Sequence, residues 1–190
     1  MARDSAEIPP RILVVEDDLA LAKLYATWLG EQYDVAIATD GNEALSKFDA
    51  TVDVVLLDRR LPGASGDSVL ERLRERGVNV RIAMVTAVVP DFDIIEMGFD
   101  DYLRKPADCE TLLGLVEQLI RRANYDAGVR EQFATARKLA LLESTLASAE
   151  LAKSAEYSRL REEYERREVS LSATAADFDR RELAAVVDGR

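Results

Sequence analysis

The stretch VVLLDRRLPG, Val54 to Gly63, decides the fold. Four branched apolar residues form a run short enough for a strand buried on both faces. The run then meets Asp58, two arginines and a Leu-Pro-Gly turn. A buried strand that closes on a carboxylate needs that end open, so its terminus is read as the edge of a site.

Working outward, VVLLD belongs to a set of short β-rich runs: RILVV (11–15), DVAIA (34–38), VDVVLL (52–57), RIAMV (81–85) and DYL (101–103). Helical patterns separate them at 18–30, 42–49, 66–77, 91–97 and 108–123. Strands alternating with helices predict an α/β fold with a five-stranded, doubly wound parallel sheet covered on both faces. Ligands of such sheets sit beyond the carboxyl ends of the strands.

The residues at those ends form a chemical set. The first strand runs into Glu16, Asp17 and Asp18, the third into Asp58, the fourth into Thr86 and the fifth into Lys105-Pro106. Clustered carboxylates repel one another and call for a cation; hard oxygen ligands with open positions suit Mg²⁺. A carboxylate can attack phosphorus to form an aspartyl phosphate. Phosphoryl transfer then needs positioning and charge neutralisation, which Lys105 and a divalent ion supply. The Thr86 hydroxyl can donate a hydrogen bond to a phosphoryl oxygen.

The motifs VVEDD, LLDRRLPG, MVTA and YLRKP together resemble the receiver domain of two-component response regulators over roughly residues 10–123. The resemblance implies a flavodoxin-like sheet of order 2-1-3-4-5. It implies Asp58 as phosphoacceptor, Glu16 and Asp17 as the acidic metal pair, and the Arg60 backbone carbonyl as a further Mg²⁺ ligand. Thr86 and Tyr102 match the switch hydroxyl and switch aromatic, and Lys105 the phosphate-contacting lysine. It also implies a cis Lys105-Pro106 bond, and a sensor histidine kinase as phosphoryl donor. On this reading the protein is no enzyme beyond its own phosphotransfer and dephosphorylation. Plainer roles stand beside these: Asp18 caps the first helix, Arg59 and Arg60 are solvated side chains, Tyr102 packs in the core and Cys109 packs at a helix start. Eighteen residues separate Thr86 from Lys105, fewer than receivers commonly have. The shortening falls at the fourth helix, part of the face through which phosphorylated receivers commonly pair.

Composition narrows the partners. The 190 residues carry 36 acidic and 25 basic side chains, a formal charge of -11, with five lysines and no histidine. Such a surface repels DNA at ordinary salt. An acid-rich, lysine-poor surface fits solubility in concentrated salt, where screening is strong, although an ordinary acidic protein has the same signature. No apolar run approaches a membrane span, the opening MARDSAEIPP lacks a secretory h-region, and a single cysteine suits a reducing cytoplasm. Residues 1–10 are expected as a flexible arm, 11–123 as the receiver domain and 124–190 as an all-α, coiled-coil-like domain.

From Val129 to Asp188 there is no glycine or proline. The helix before this segment is expected to end near Ala123, with Gly128 as a break. Leu139, Leu142, Leu146 and Ala149 form one heptad-like series; Tyr157, Leu160, Tyr164 and Leu171, with Arg167 between, form another. The two do not share a register, which predicts either a stutter in one long helix or an antiparallel hairpin. VSLSAT (169–174) reads as a break, and Asp179 with Glu182 as a capping box opening a short helix over 177–187. The shortened PDFDIIEMGFDDYL and the AEYSRLREEYERR tail are similar to HalX-type response regulators of halophilic archaea. The tail shows no basic recognition helix and no zinc site. Homodimerisation or docking of a partner protein through these helices is therefore ranked above DNA binding, and transcription is one candidate output. A pseudo-receiver that is never phosphorylated is the alternative. An Asp-x-Asp phosphatase is disfavoured because Arg60 stands where its second acid is required.

Overall fold

A computed structural model describes residues 9–77 and 80–188, the side chains of Asp93 and of residues 177–188 excepted. The expected arm lies, for residues 1–8, outside the described residues. The chain divides into two units, residues 1–123 and 124–190.

In the first unit, β1 (Arg11–Val15), β2 (Asp34–Ala38), β3 (Val54–Leu57), β4 (Arg81–Thr86) and β5 (Asp101–Arg104) form one sheet in the order β2-β1-β3-β4-β5. Every neighbouring pair is parallel. The expected fold class is therefore present. Strand alternation sorts the core onto two faces. Leu13, Val15, Val55, Leu57, Ile82 and Met84 point to the side covered by α2 (Gly41–Lys47) and α3 (Gly66–Glu75). Ile12, Val14, Val54, Leu56, Ala83 and Val85 point to the side covered by α1 (Leu19–Leu29) and the first turns of α4 (Cys109–Thr145). Burial on both faces explains why these strands read as continuous apolar runs.

Three helix starts are fixed by local side chains. Asp18 accepts from the N–H groups of Ala20 and Leu21, as expected of a cap, and Asp40 and Ser65 do the same for α2 and α3. The third strand starts at Val54, two residues later than expected; before it, the Asp53 carboxylate accepts the Arg11 N–H at 2.8 Å. The segment expected as a helix over 91–97 is a 3-10 turn, Phe92–Glu96. Pro90 supplies no N–H there, and the short connection has no room for a full helix before β5.

After that turn comes an ionic network that no local sequence pattern signals. Asp100 accepts from Arg74 and Arg81, each at 2.6 Å, and from the Ile82 N–H at 2.8 Å. Arg74 also donates to the carbonyls of Gly98 and Val80. These bonds tie α3, β4 and the approach to β5 together where a helix would otherwise pack.

The second unit is an antiparallel helical hairpin. The later turns of α4 are followed by the short α5 (Ser148–Leu151) and by α6 (Ala155–Asp188). Gln132 donates to the Tyr164 carbonyl, Glu131 pairs with Arg167, and Glu143 accepts from the Tyr157 hydroxyl. The change of register is thus a reversal of direction, not a stutter. Neither Ala123 nor Gly128 ends a helix. A Cβ on Gly128 would lie 2.9 Å from Leu171 Cδ2, so the glycine is where the two helices approach closely. VSLSAT is continuous helix, contrary to expectation. Its β-branched and serine residues cost only tenths of a kcal/mol each, which packing of Leu171 outweighs. Residues 177–187 continue α6 without a new start; the expected capping box of Asp179 and Glu182 falls on side chains outside the described residues.

Candidate functional site

Sheet register builds the site. Beyond the last paired residues, the Asp58 N–H donates to the Val15 carbonyl at 3.0 Å, which sets Asp58 beside Glu16. The Lys105 N–H donates to the Thr86 carbonyl at 2.9 Å, which sets the lysine beside the threonine. The bond after Lys105 is cis, as expected. Four strands therefore deliver Glu16, Asp58, Thr86 and Lys105 to one edge, and Asp17 follows Glu16 at the rim.

Glu16 and Asp58 are buried, at 3% and 7% exposure, and Asp17 is exposed. One carboxylate oxygen from each lies within 4.8 Å of the others, a spacing that one cation could bridge. The Lys105 ammonium donates to Asp58 Oδ2 at 2.5 Å and also to Glu16 Oε2. Asp58 Oδ1 accepts the Arg60 N–H at 3.0 Å. The Thr86 hydroxyl accepts the Val88 N–H at 3.3 Å.

Electrostatics separate the two buried acids. Burial opposes ionisation of Asp58, but the Lys105 ammonium, the Arg60 N–H and the Thr86 hydroxyl outweigh it and hold the carboxyl below its usual value. Burial dominates at Glu16 and pushes its carboxyl up, although Lys105 works in the other direction. Lys105 loses by burial and gains more from Asp58 and Glu16, so its ammonium is held above the usual range. An ionised Asp58 beside a fixed cation is the state a carboxylate nucleophile requires. A third carboxylate within reach, together with the main-chain oxygens of the loop after Asp58, also fits a hard divalent ion.

Tyr102 lies further along the same edge. Its hydroxyl donates to the Val88 carbonyl at 2.8 Å and its ring tilts against Phe99. The side chain packs partly into the core below, as the plainer packing role expects. Arg60 is exposed, as expected, but Arg59 is not the solvated side chain that its position suggested. Its guanidinium closes on Asp67 in two bonds, 2.9 and 3.0 Å long. Nothing in the sequence marks that partner, eight residues away across a turn.

The family model of the response regulator receiver domain matches residues 12–117. The chain belongs to the response regulators of two-component systems. A second model, the HalX domain, matches residues 121–187, so the architecture is a receiver followed by a HalX domain. A candidate transcriptional regulator of Haloferax volcanii is 52% identical over 134 residues, 70% of this chain and 23% of that protein. The sensory transduction protein RegX3 of Mycobacterium tuberculosis is 39% identical over 120 residues, 60% of this chain and 52% of that protein. The chain thus spans between a quarter and about half of these relatives' lengths. Among solved structures, the receiver domain of a LuxO-type repressor from Vibrio parahaemolyticus superposes with a TM-score of 0.60 at 28% identity, covering 64% of this chain and 97% of that one. A CheY-like receiver from Methanospirillum hungatei gives 0.57 at 27% identity, covering 62% and 98%.

Proposed function

We propose that Asp58 is the phosphoacceptor of this response regulator and takes its phosphoryl group from a phosphohistidine on a sensor kinase. The observation that carries the reading is the convergence of Glu16, Asp58 and Lys105 at one strand edge, with Asp58 held ionised. Asp58 attacks phosphorus and the histidine nitrogen departs. Lys105 stands where charge builds on the phosphoryl oxygens, and Thr86 lines the same edge as the switch donor. Glu16, Asp17, Asp58 and the Arg60 carbonyl would hold Mg²⁺, whose contribution is neutralisation of phosphoryl charge. Transfer and later hydrolysis are self-catalysed, with no further enzymatic activity.

The phosphoryl group adds charge and acceptor oxygens at the edge. Thr86 moves toward them, and Tyr102, bonded to Val88 two residues on, follows. The changed surface is read through the helical domain, as a homodimer or through a partner protein, in control of an output such as transcription. The names of the relatives support that output; no basic recognition element supports direct DNA contact. No helix among the described residues is long and apolar enough to cross a membrane, and the proposed sensor-kinase partner is in keeping with a cytoplasmic location.

The test is phosphotransfer from a phosphorylated histidine kinase or a small-molecule phosphodonor in Mg²⁺. Label that is acid-stable but released by hydroxylamine, and absent in Asp58→Asn, is expected. Label that survives hydroxylamine, or persists in Asp58→Asn, would move the phosphorylation elsewhere. No labelling at all would favour a pseudo-receiver.

A further inference from the structure

The loop from Arg59 to Ser65 carries the Arg60 N–H that bonds Asp58 and, on the proposed reading, the Arg60 carbonyl that would hold Mg²⁺. The base of this loop is closed twice. The Gly66 N–H donates to the Arg59 carbonyl at 3.0 Å, and a Cβ on Gly66 would fall 2.1 Å from the Asp58 carbonyl oxygen. Helix α3 therefore starts directly against the backbone of Asp58. The second closure is the clasp of Arg59 on Asp67: Nε to Oδ1 at 2.9 Å and Nη2 to Oδ2 at 3.0 Å. The Arg59 side chain is only 12% exposed, although it lies in the loop two residues beyond the strand.

Asp67 has two reasons to sit where it does. It lies in the first turn of α3, where a carboxylate is favoured by the unpaired N–H groups. It also meets the guanidinium fork in the bidentate geometry that fixes orientation as well as distance. Ion pairs with half-exposed partners contribute little to stability. What this pair fixes is the path of the chain between Asp58 and α3, and Arg60 is the next residue along that path.

The geometry points to Asp67 as a positioning residue: acting through Arg59, it sets where the Arg60 peptide lies against Asp58 and so tunes divalent-cation affinity at the site. The inference rests on the reading of Asp58 as a Mg²⁺-dependent phosphoacceptor. Two measurements on the full chain test it. One is Mg²⁺ affinity by calorimetry. The other is hydrogen exchange of the Arg60 amide, followed by NMR without metal.

Asp67→Asn and Arg59→Ala should each weaken Mg²⁺ binding about 10-fold, the low end for groups that orient a ligand from outside. Each should speed Arg60 exchange, and the double variant should lose no more than either alone. Asp67→Glu, which keeps the carboxylate, should recover part of the loss. If Arg59→Ala fails to fold, Arg59→Gln keeps most of the stem and replaces it. Folded single variants that bind Mg²⁺ within twofold of the parent overturn the proposal, as do losses that multiply in the double variant. If the parent binds no Mg²⁺, the phosphoacceptor reading fails by itself. The exchange measurement then decides the clasp: an Arg60 amide that exchanges no faster in Asp67→Asn overturns it.

Discussion

Lys105 neutralises two buried carboxylates that would otherwise repel each other, and a divalent cation at the same oxygens would compete with it. Lys105→Ala should therefore strengthen Mg²⁺ binding several-fold while slowing phosphoryl transfer about 100-fold, the order of loss for a fixed stabilising charge. Calorimetry and phosphotransfer kinetics check the two halves; parallel losses in both would contradict the argument. Asp100 lies away from that edge and supports the fold. Burial opposes its charge, but the Ile82 N–H, Arg81 and Arg74 hold its carboxyl below the usual value. A depressed folded-state pKa means stability that is complete above the unfolded value, about 4, and is lost as pH falls through the folded value. Asp100→Asn should cost about 2 kcal/mol at neutral pH, the order expected when the hydrogen-bond partners of a partly buried charged group lose their acceptor. The difference in urea midpoint between parent and variant should shrink below about pH 4; a constant difference would show that ionisation of Asp100 is not the cause. Glu16, Asp58 and Thr86 were readable because each closes an apolar run, and Lys105 because Pro106 follows it directly. Asp100 and Asp67 were not, because their partners are set by how helices and strands cross, which no local pattern records.

At the scale of elements, the sheet and its helices were legible because two periodicities alternate cleanly and because caps such as Asp18 sit where a helix must start. The 3-10 turn was less so: FDIIE carries apolar residues at helical spacing, yet Phe92 and Ile95 are exposed and no helix forms. The second unit shows the reverse error. Gly128 and VSLSAT look like breaks by propensity, and both lie inside long helices that touch each other there. Propensities of tenths of a kcal/mol decide little when a side chain gains a packing partner. The hairpin seam depends on few such partners. Among the described side chains of residues 124–176, only Thr135, Leu139 and Leu151 are buried. Leu139→Ala should cost about 2–3 kcal/mol and lower the thermal transition of the helical unit, followed by circular dichroism at 222 nm. Mg²⁺ binding by the first unit should be unchanged. An unaltered melting profile would mean that the seam contributes little to the stability of the helices.

At the scale of the molecule, that thin core has a consequence. A two-helix hairpin buries little apolar surface, and stable helical domains usually assemble four helices around a shared core. Here Phe133, Leu141 and Val169 remain 68%, 67% and 72% exposed. Large apolar side chains left outside a core this small favour covering by another chain, which supports the homodimer among the proposed outputs. Charge opposes the association of two copies, since each carries a formal -11. Most of that excess lies in the first 123 residues, with 23 acidic against 14 basic side chains; the remainder carries 13 against 11. The helical unit is thus the part of the chain with least electrostatic reason to stay apart. Screening shortens from about 10 Å at 0.1 M salt to about 3 Å at 1 M, while burial of apolar groups does not depend on that range. Association through the helices should therefore tighten as salt rises across this interval. Light scattering on the full chain, with and without the phosphate mimic beryllofluoride, measures it. Phe133→Glu with Leu141→Glu should abolish the dimer at every salt concentration. A dimer that dissociates as salt rises would mean that complementary charges, not the exposed apolar side chains, hold the copies together.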